Sequence, residues 1–158
     1  DAAERPLPQW DLFGSSFFMF TALTTIGFGS YTPQGSDHSK WVVLAATLVG
    51  LPLSVLLHDT LARMLLVAVT RAWRRCTHRR LTTRSEVRVW LAASVLLLLL
   101  GGLVFSLVED WPFLNALYFT TVSASTVGLG DYVPATAAGR VLCMLHTFLS
   151  LGVLASLF

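Results

Sequence analysis

Between Val89 and Val108 the chain runs for 20 residues without a charge, and from Val141 to Phe158 it does so for another 18. About 20 apolar residues in a helix cross the ~30 Å hydrocarbon layer of a bilayer, so these two runs are read as membrane spans. A third run begins at Trp41 and continues 17 residues to Leu57 before meeting His58 and Asp59, which makes it marginal on length. Composition agrees: 54% of the 158 residues are hydrophobic and 13% are charged, against roughly 25% charged in soluble domains. Within hydrocarbon the backbone must satisfy its own hydrogen bonds, and uncharged runs of this length do so as helices. The fold class expected is therefore an all-α membrane protein.

The net charge of +2 is uninformative until it is placed along the chain. Seven of the eleven basic residues (Arg71, Arg74, Arg75, Arg79, Arg80, Arg84 and Arg88) fall in one stretch, opposed there only by Glu86. A nucleic-acid patch and a cytoplasmic loop compete for that run. Its position between the Trp41 and Val89 spans favours the loop, because basic residues collect on the cytoplasmic side of short loops; no nucleic-acid partner is expected. Asp1, Glu4, Asp11, Asp37, Glu109, Asp110 and Asp131 then lie on the outer side. Cys76 sits in the basic run and Cys143 in a span, so neither is placed for an extracellular disulfide. There is no signal-peptide pattern, and both ends read as cut within a longer chain.

Function enters through a repeat. Sliding the chain by 101 residues brings Trp10 onto Trp111 and keeps the segments in step, without a gap, through Pro33 and Pro134. Seven of those 24 positions are identical: Trp10/Trp111, Phe18/Phe119, Thr25/Thr126, Gly27/Gly128, Gly29/Gly130, Tyr31/Tyr132 and Pro33/Pro134. Chance similarity between oily segments does not place Gly on Gly twice and Pro on Pro, so the chain is a tandem duplication of one module.

Each copy joins an apolar-aromatic stretch, Leu12 to Leu23 or Phe113 to Ala124, to Thr25-Ile26-Gly27-Phe28-Gly29 or Thr126-Val127-Gly128-Leu129-Gly130. The first part is too short to span and suits a re-entrant helix entering from outside. The glycines let the backbone return in an extended form with unusual dihedrals. Non-helical backbone at membrane depth is tolerated only where it is buried in protein or lines a water-filled path. Such a path can strip a monovalent cation of water by offering rings of carbonyl oxygens, with the Thr25 and Thr126 hydroxyls as further oxygens at the inner end. On this reading Ile26, Phe28, Val127 and Leu129 point away and pack behind the strands. The helices also aim their C-terminal ends, with partial negative charge, at mid-membrane. A glycine-rich turn is the plainer reading of one such motif, but two copies in register argue against it. A nucleotide-binding loop needs a Lys, a third Gly and a βαβ setting, all lacking here.

These residues resemble the potassium-channel filter signature, and two signatures in one chain resemble the two-pore-domain potassium channel family. Gly50-Leu51-Pro52-Leu53 is similar to the family's Gly-x-Pro-Leu in the second membrane helix, and Trp111 to Pro134 looks most like the TWIK-type branch. The resemblance implies a potassium-selective leak channel rather than an enzyme, without a cofactor and with K+ as permeant ion. It implies a homodimer, or a heterodimer with a related subunit, in which each chain supplies two of four filter strands. A carbonyl cage around an axial ion also asks for about four strands on geometric grounds. The filters would face outward from a plasma membrane. Alternatives are a silent or regulatory subunit and a potassium transporter subunit with similar repeats. The family has an outer helix and an extracellular cap before its first pore, and no residues upstream of Trp10 match either.

The expected organisation is an extracellular segment over 1–10, a first pore helix, filter and outer loop over 11–40, and a span over 41–70. A basic cytoplasmic loop over 71–88, a span over 89–108, a second pore module over 109–140 and a span over 141–158 follow. Ser30 and Asp131 stand at the outer mouth, where the Asp131 carboxylate could concentrate cations or brace the filter. Pro52 lacks a backbone donor and with Gly50 is expected to kink or hinge its helix. Asp59 and Arg63, at i and i+4, read as a helix-stabilising pair. Phe28 and Leu129 stand where potassium channels often carry Tyr, so the filter is expected to be held by packing. His38 and His146 are weighed as proton sensors against loop and packing roles, and the latter are favoured. Arg74, Arg75, Arg79 and Arg80 are a possible lipid contact, each worth on the order of 1 kcal/mol at an anionic leaflet. No span carries Arg at every third position, so no voltage sensor is expected.

Overall fold

A computed structural model describes residues 10–33, 37–77 and 83–156. It contains five helices among them: α1 (Leu12–Leu23), α2 (Asp37–Thr77), α3 (Thr83–Val108), α4 (Phe113–Ala124) and α5 (Ala137–Ala155). The half-length helices α1 and α4 have the bounds expected from the repeat. At 1.5 Å per residue each reaches about 18 Å, roughly halfway through a bilayer. Helices α2, α3 and α5 are long and apolar enough to cross one.

Two elements differ from expectation. Helix α2 does not end at 70 but continues to Thr77, carrying Arg71, Arg74 and Arg75 on its last turns. Its course from Leu53 onward holds neither Gly nor Pro, and Arg63 Nε donates to Asp59 Oδ2 at 2.9 Å, one turn apart. Arg84 and Arg88 lie at the start of α3. The basic stretch expected as a loop is thus helical at both ends, and Arg79 and Arg80 lie outside the described residues.

Helix α5 is the hub, touching all four others. Its N-terminus is capped by the Thr136 hydroxyl, which accepts from Gly139 N at 2.9 Å. The Glu109 carboxylate at the end of α3 accepts from Ala135 N and Thr136 N as well, tying α3 to the start of α5. Helix α3 lies along α4, and Gly101 and Gly102 make the approach possible. A Cβ at Gly101 would meet His146 Nε2 at 2.4 Å and the Thr120 methyl at 3.0 Å; at Gly102 it would meet Leu117 Cα at 3.2 Å. His146 accordingly packs among α3, α4 and α5, with Nε2 3.2 Å from the Leu97 carbonyl oxygen and its ring edge-on to Phe105. The core gathers Phe17, Ile26, Phe28, Tyr31, Phe105, Ala116, Phe119 and Cys143 from both modules. It therefore sits behind the glycine-rich segments.

Candidate functional site

Both glycine-rich segments leave their helices by the same bonds. In the first copy, Ile26 N and Gly27 N both donate to Thr21 O, at 3.0 and 3.1 Å. In the second, Val127 N and Gly128 N both donate to Val122 O, at 3.1 and 3.2 Å. Carbonyls that a helix C-terminus would otherwise leave unpaired thus anchor each strand at its inner end.

From there the backbone alternates. Thr25, Gly27 and Gly29 have φ of 61, 59 and 75°, and Thr126, Gly128 and Gly130 have 57, 52 and 75°, whereas the residues between them are not left-handed. Switching handedness at every residue turns successive peptide planes so that carbonyls line one side, a geometry ordinary strands do not have. The two strands lie side by side: a Cβ on Gly128 would come 2.0 Å from Ile26 O, and one on Gly130 would come 2.0 Å from Phe28 O. Carbonyls of the first strand therefore reach the edge of the second, where only a hydrogen can stand. That Thr25 and Thr126 share the left-handed conformation is not visible in the sequence, since threonine seldom adopts it. Below the strands a cavity of about 360 Å³ is lined by Thr25 and Thr126 together with Ser54, His58, Asp59 and Leu151.

The expectation that all four intervening side chains pack behind the strands holds for one strand within the chain. Ile26 is 3% exposed and Phe28 7%, with the Phe28 ring stacked between Phe17 (6.1 Å) and Phe119 (5.8 Å). Val127 and Leu129 are instead 58% and 60% exposed. The physical reason lies in the order of the strands. The first is backed by its own α1 and by the α4 of the second module, whereas among the described residues no further helix packs behind Val127 and Leu129. Reciprocally, a Cβ on Gly27 or Gly29 would meet nothing within 4 Å.

Aromatic residues of the repeat form a cuff at the outer ends. Trp10 lies edge-on to Phe18 (5.6 Å) and Tyr31 (5.5 Å), and Trp111 lies edge-on to Phe119 and Tyr132 (both 5.3 Å). All seven identities of the duplication except the Pro33/Pro134 pair, of which Pro134 is buried and Pro33 half-buried, thus serve the strands or their cuff. Three side chains outside the repeat identities also attach here. Asn115 Nδ2 donates to the Tyr132 hydroxyl at 2.7 Å. Arg140 faces Phe17 and Tyr31. Ser54 Oγ donates to Leu23 O at 2.8 Å, joining α2 to the end of α1. Only their neighbours in space give these residues a role, so periodicity and motif do not single them out.

At the mouth, Asp131 is exposed and its carboxylate meets the Tyr118 hydroxyl, whereas the Ser30 hydroxyl is buried. Gly50 packs against Leu23, where a Cβ would come 2.4 Å from a Leu23 methyl, and Pro52 lies inside the unbroken α2. Arg74 and Arg75 are exposed. His38 is exposed at the start of α2.

Comparison with known proteins agrees with this geometry. Residues 3–67 and 92–158, the two modules, match the family described as ion channel. The chain is 34% identical over 132 residues to human potassium channel subfamily K member 17, covering 79% of this chain and 39% of that protein. It is 35% identical over 135 residues to potassium channel subfamily K member 1 of human and of Pongo abelii, covering 80% of this chain and 40% of each relative. The chain thus spans about two fifths of the length of the curated relatives it matches. Duplicated modules, the alternating backbone of their glycine-rich segments and sequence identity together place the chain in the ion channel family, among the two-pore-domain potassium channels.

Proposed function

We propose that the protein conducts K+ passively across the plasma membrane as a leak channel, through a filter of four strands supplied by two chains. The observation that carries the reading is the pair of adjacent strands with alternating handedness, which presents carbonyl oxygens to a common axis as a dehydrated monovalent cation requires. The Thr25 and Thr126 hydroxyls extend that path into the cavity beneath. The filter residues are Thr25 to Gly29 and Thr126 to Gly130.

Two open edges support the dimer. Within the chain, Phe28 of the first strand packs on Phe119 of the next pore helix. Phe18 occupies the matching place in the first module and lines a cavity of about 200 Å³ with Thr21, Gly27 and Gly29. A second copy related by a two-fold axis would seat its Val127 and Leu129 there. Its carbonyls would then meet the open sides of Gly27 and Gly29 as those of Ile26 and Phe28 meet Gly128 and Gly130. Burial of two half-exposed apolar side chains per chain favours that closure by roughly 1–2 kcal/mol each. The same symmetry brings two Asp131 carboxylates to the outer mouth and faces the exposed arginines of α2 and α3 toward the cytoplasm, where anionic lipid is available.

Reversal potentials of the full-length protein under swapped K+ and Na+ gradients test the reading. A reversal that follows the K+ gradient without voltage-dependent activation is expected. Surface-expressed protein that passes no current points to a silent subunit, and a current without K+ preference refutes the filter.

A further inference from the structure

The two filter strands are held at their outer ends by different devices. In the second, Asn115 on α4 donates to the Tyr132 hydroxyl at 2.7 Å, so the pore helix itself ties down the residue that follows the filter. In the first, the position matching Asn115 is Gly14, which has no side-chain amide to donate, and a Cβ there would already come 2.9 Å from the Tyr31 hydroxyl. What Tyr31 has instead is Arg140, from the first turn of α5 in the other module. The guanidinium carbon stands 5.6 Å from the Tyr31 ring centroid and 5.9 Å from that of Phe17. Arg140 Nε donates to Pro134 O at 3.2 Å, just past the second strand. Tyr31 is 6% exposed and Phe17 1%, and Phe17 stacks on Phe28 of the strand itself.

We propose that Arg140 is the positioning residue of the first filter strand, doing through Tyr31 and Phe17 what Asn115 does for the second through Tyr132. The proposal rests on the channel reading above and deepens it. A planar guanidinium can lie across two aromatic faces and still donate through Nε, which an ammonium cannot do. The matching position in the first module is Ser39, which carries no guanidinium, so the equivalent residue does not repeat this cation–aromatic clamp at the junction that a second copy would complete. Adjacent strands are then cross-tied within each chain and not by this means between chains, which makes the filter two-fold in stiffness as well as in sequence. Displacement of the outer end of α5 acts first on Thr25 to Tyr31, the strand of the other module.

Hydrogen exchange on the purified full-length protein, wild type against Arg140→Gln, reads the strands directly. Exchange across residues 25–32 is expected to quicken about threefold to fivefold, from the loss of one such cation–aromatic contact, while residues 126–133 keep their wild-type rate. Equal acceleration of both strands, or of neither, overturns the proposal. Arg140→Lys, which keeps the charge, carries the same measurement if the glutamine variant does not fold, and is expected to quicken only the first strand. In recordings, the loss of K+ over Na+ preference in Arg140→Gln should be non-additive with that in Tyr31→Leu and additive with that in Tyr132→Phe; additivity with Tyr31→Leu overturns it. Absence of wild-type current would sink the channel reading, whereas the exchange result judges Arg140 independently.

Discussion

Gly27→Ala and Gly128→Ala are the same substitution at repeat-equivalent positions, and within one chain they should differ sharply. Both carry a left-handed backbone, φ 59 and 52°, which costs a residue bearing a β-carbon about 1–2 kcal/mol, a factor of about 5–30 in the population of the intact strand. That strain alone is bearable, since Thr25 and Thr126 carry it already. Contact decides the rest. At Gly128 the added methyl would stand 2.0 Å from Ile26 O, whereas at Gly27 it would meet nothing within 4 Å. Carbon and carbonyl oxygen approach no closer than about 3.3 Å even in favourable contacts, so the strands at Gly128 must part by more than an ångström. A filter opened by that amount no longer matches a dehydrated ion. If the chain worked with its two strands alone, Gly27→Ala would lose only the conformational term. In the dimer the open side of Gly27 faces the partner's second strand, and both variants should abolish selectivity alike. The assay is the bi-ionic K+/Na+ reversal potential of each full-length variant, with surface labelling to confirm delivery. A Gly27→Ala channel that stays K+-selective while Gly128→Ala does not would refute the four-strand arrangement.

Other expectations follow from the same contacts. Leu129→Asn puts a polar group where an apolar seat is proposed and should weaken self-association of the purified protein by roughly 1–2 kcal/mol per site, read as monomer gain in native mass spectrometry. An unchanged dimer fraction would place the interface elsewhere. Ser54→Ala removes the bond to Leu23 O, worth about 0.5–1.5 kcal/mol, and should change single-channel open probability by up to about tenfold without altering K+ preference; a selectivity change instead would show that α2 shapes the filter. Neutralising Arg71, Arg74 and Arg75 together should weaken attachment to anionic vesicles by on the order of 1 kcal/mol per residue, visible as reduced current rescue by added phosphoinositide, and no change would leave the run a topological signal alone.

The parts that sequence made legible are those in which a local rule is repeated. Leu12–Leu23 and Phe113–Ala124 emerge with their bounds because each apolar stretch is followed by the same Thr-x-Gly-x-Gly break, and local chemistry ends the helix there. Helix α2 runs beyond the span expected over 41–70, because helix propensity and the Asp59 to Arg63 pair carry the backbone through the polar sequence as far as Thr77. His146, for which a packing role is favoured from sequence, is lodged in the space left by Gly101, and which neighbours it packs among is decided by three helices together.

By itself, then, the sequence determined a membrane-spanning helical chain, its internal duplication, and which ten residues form the candidate filter. These rest on hydropathy, length and glycine, all properties of neighbours along the chain. Tertiary structure decided that Ile26 and Phe28 are buried while their equivalents Val127 and Leu129 are not, because the first strand is backed by the module that follows it and no described residues cover the side chains of the second. It also decided that one strand is tied by Asn115 and the other faces Arg140. A duplication makes the two modules alike in sequence, but order along one chain gives them different neighbours in space, and packing depends on those neighbours.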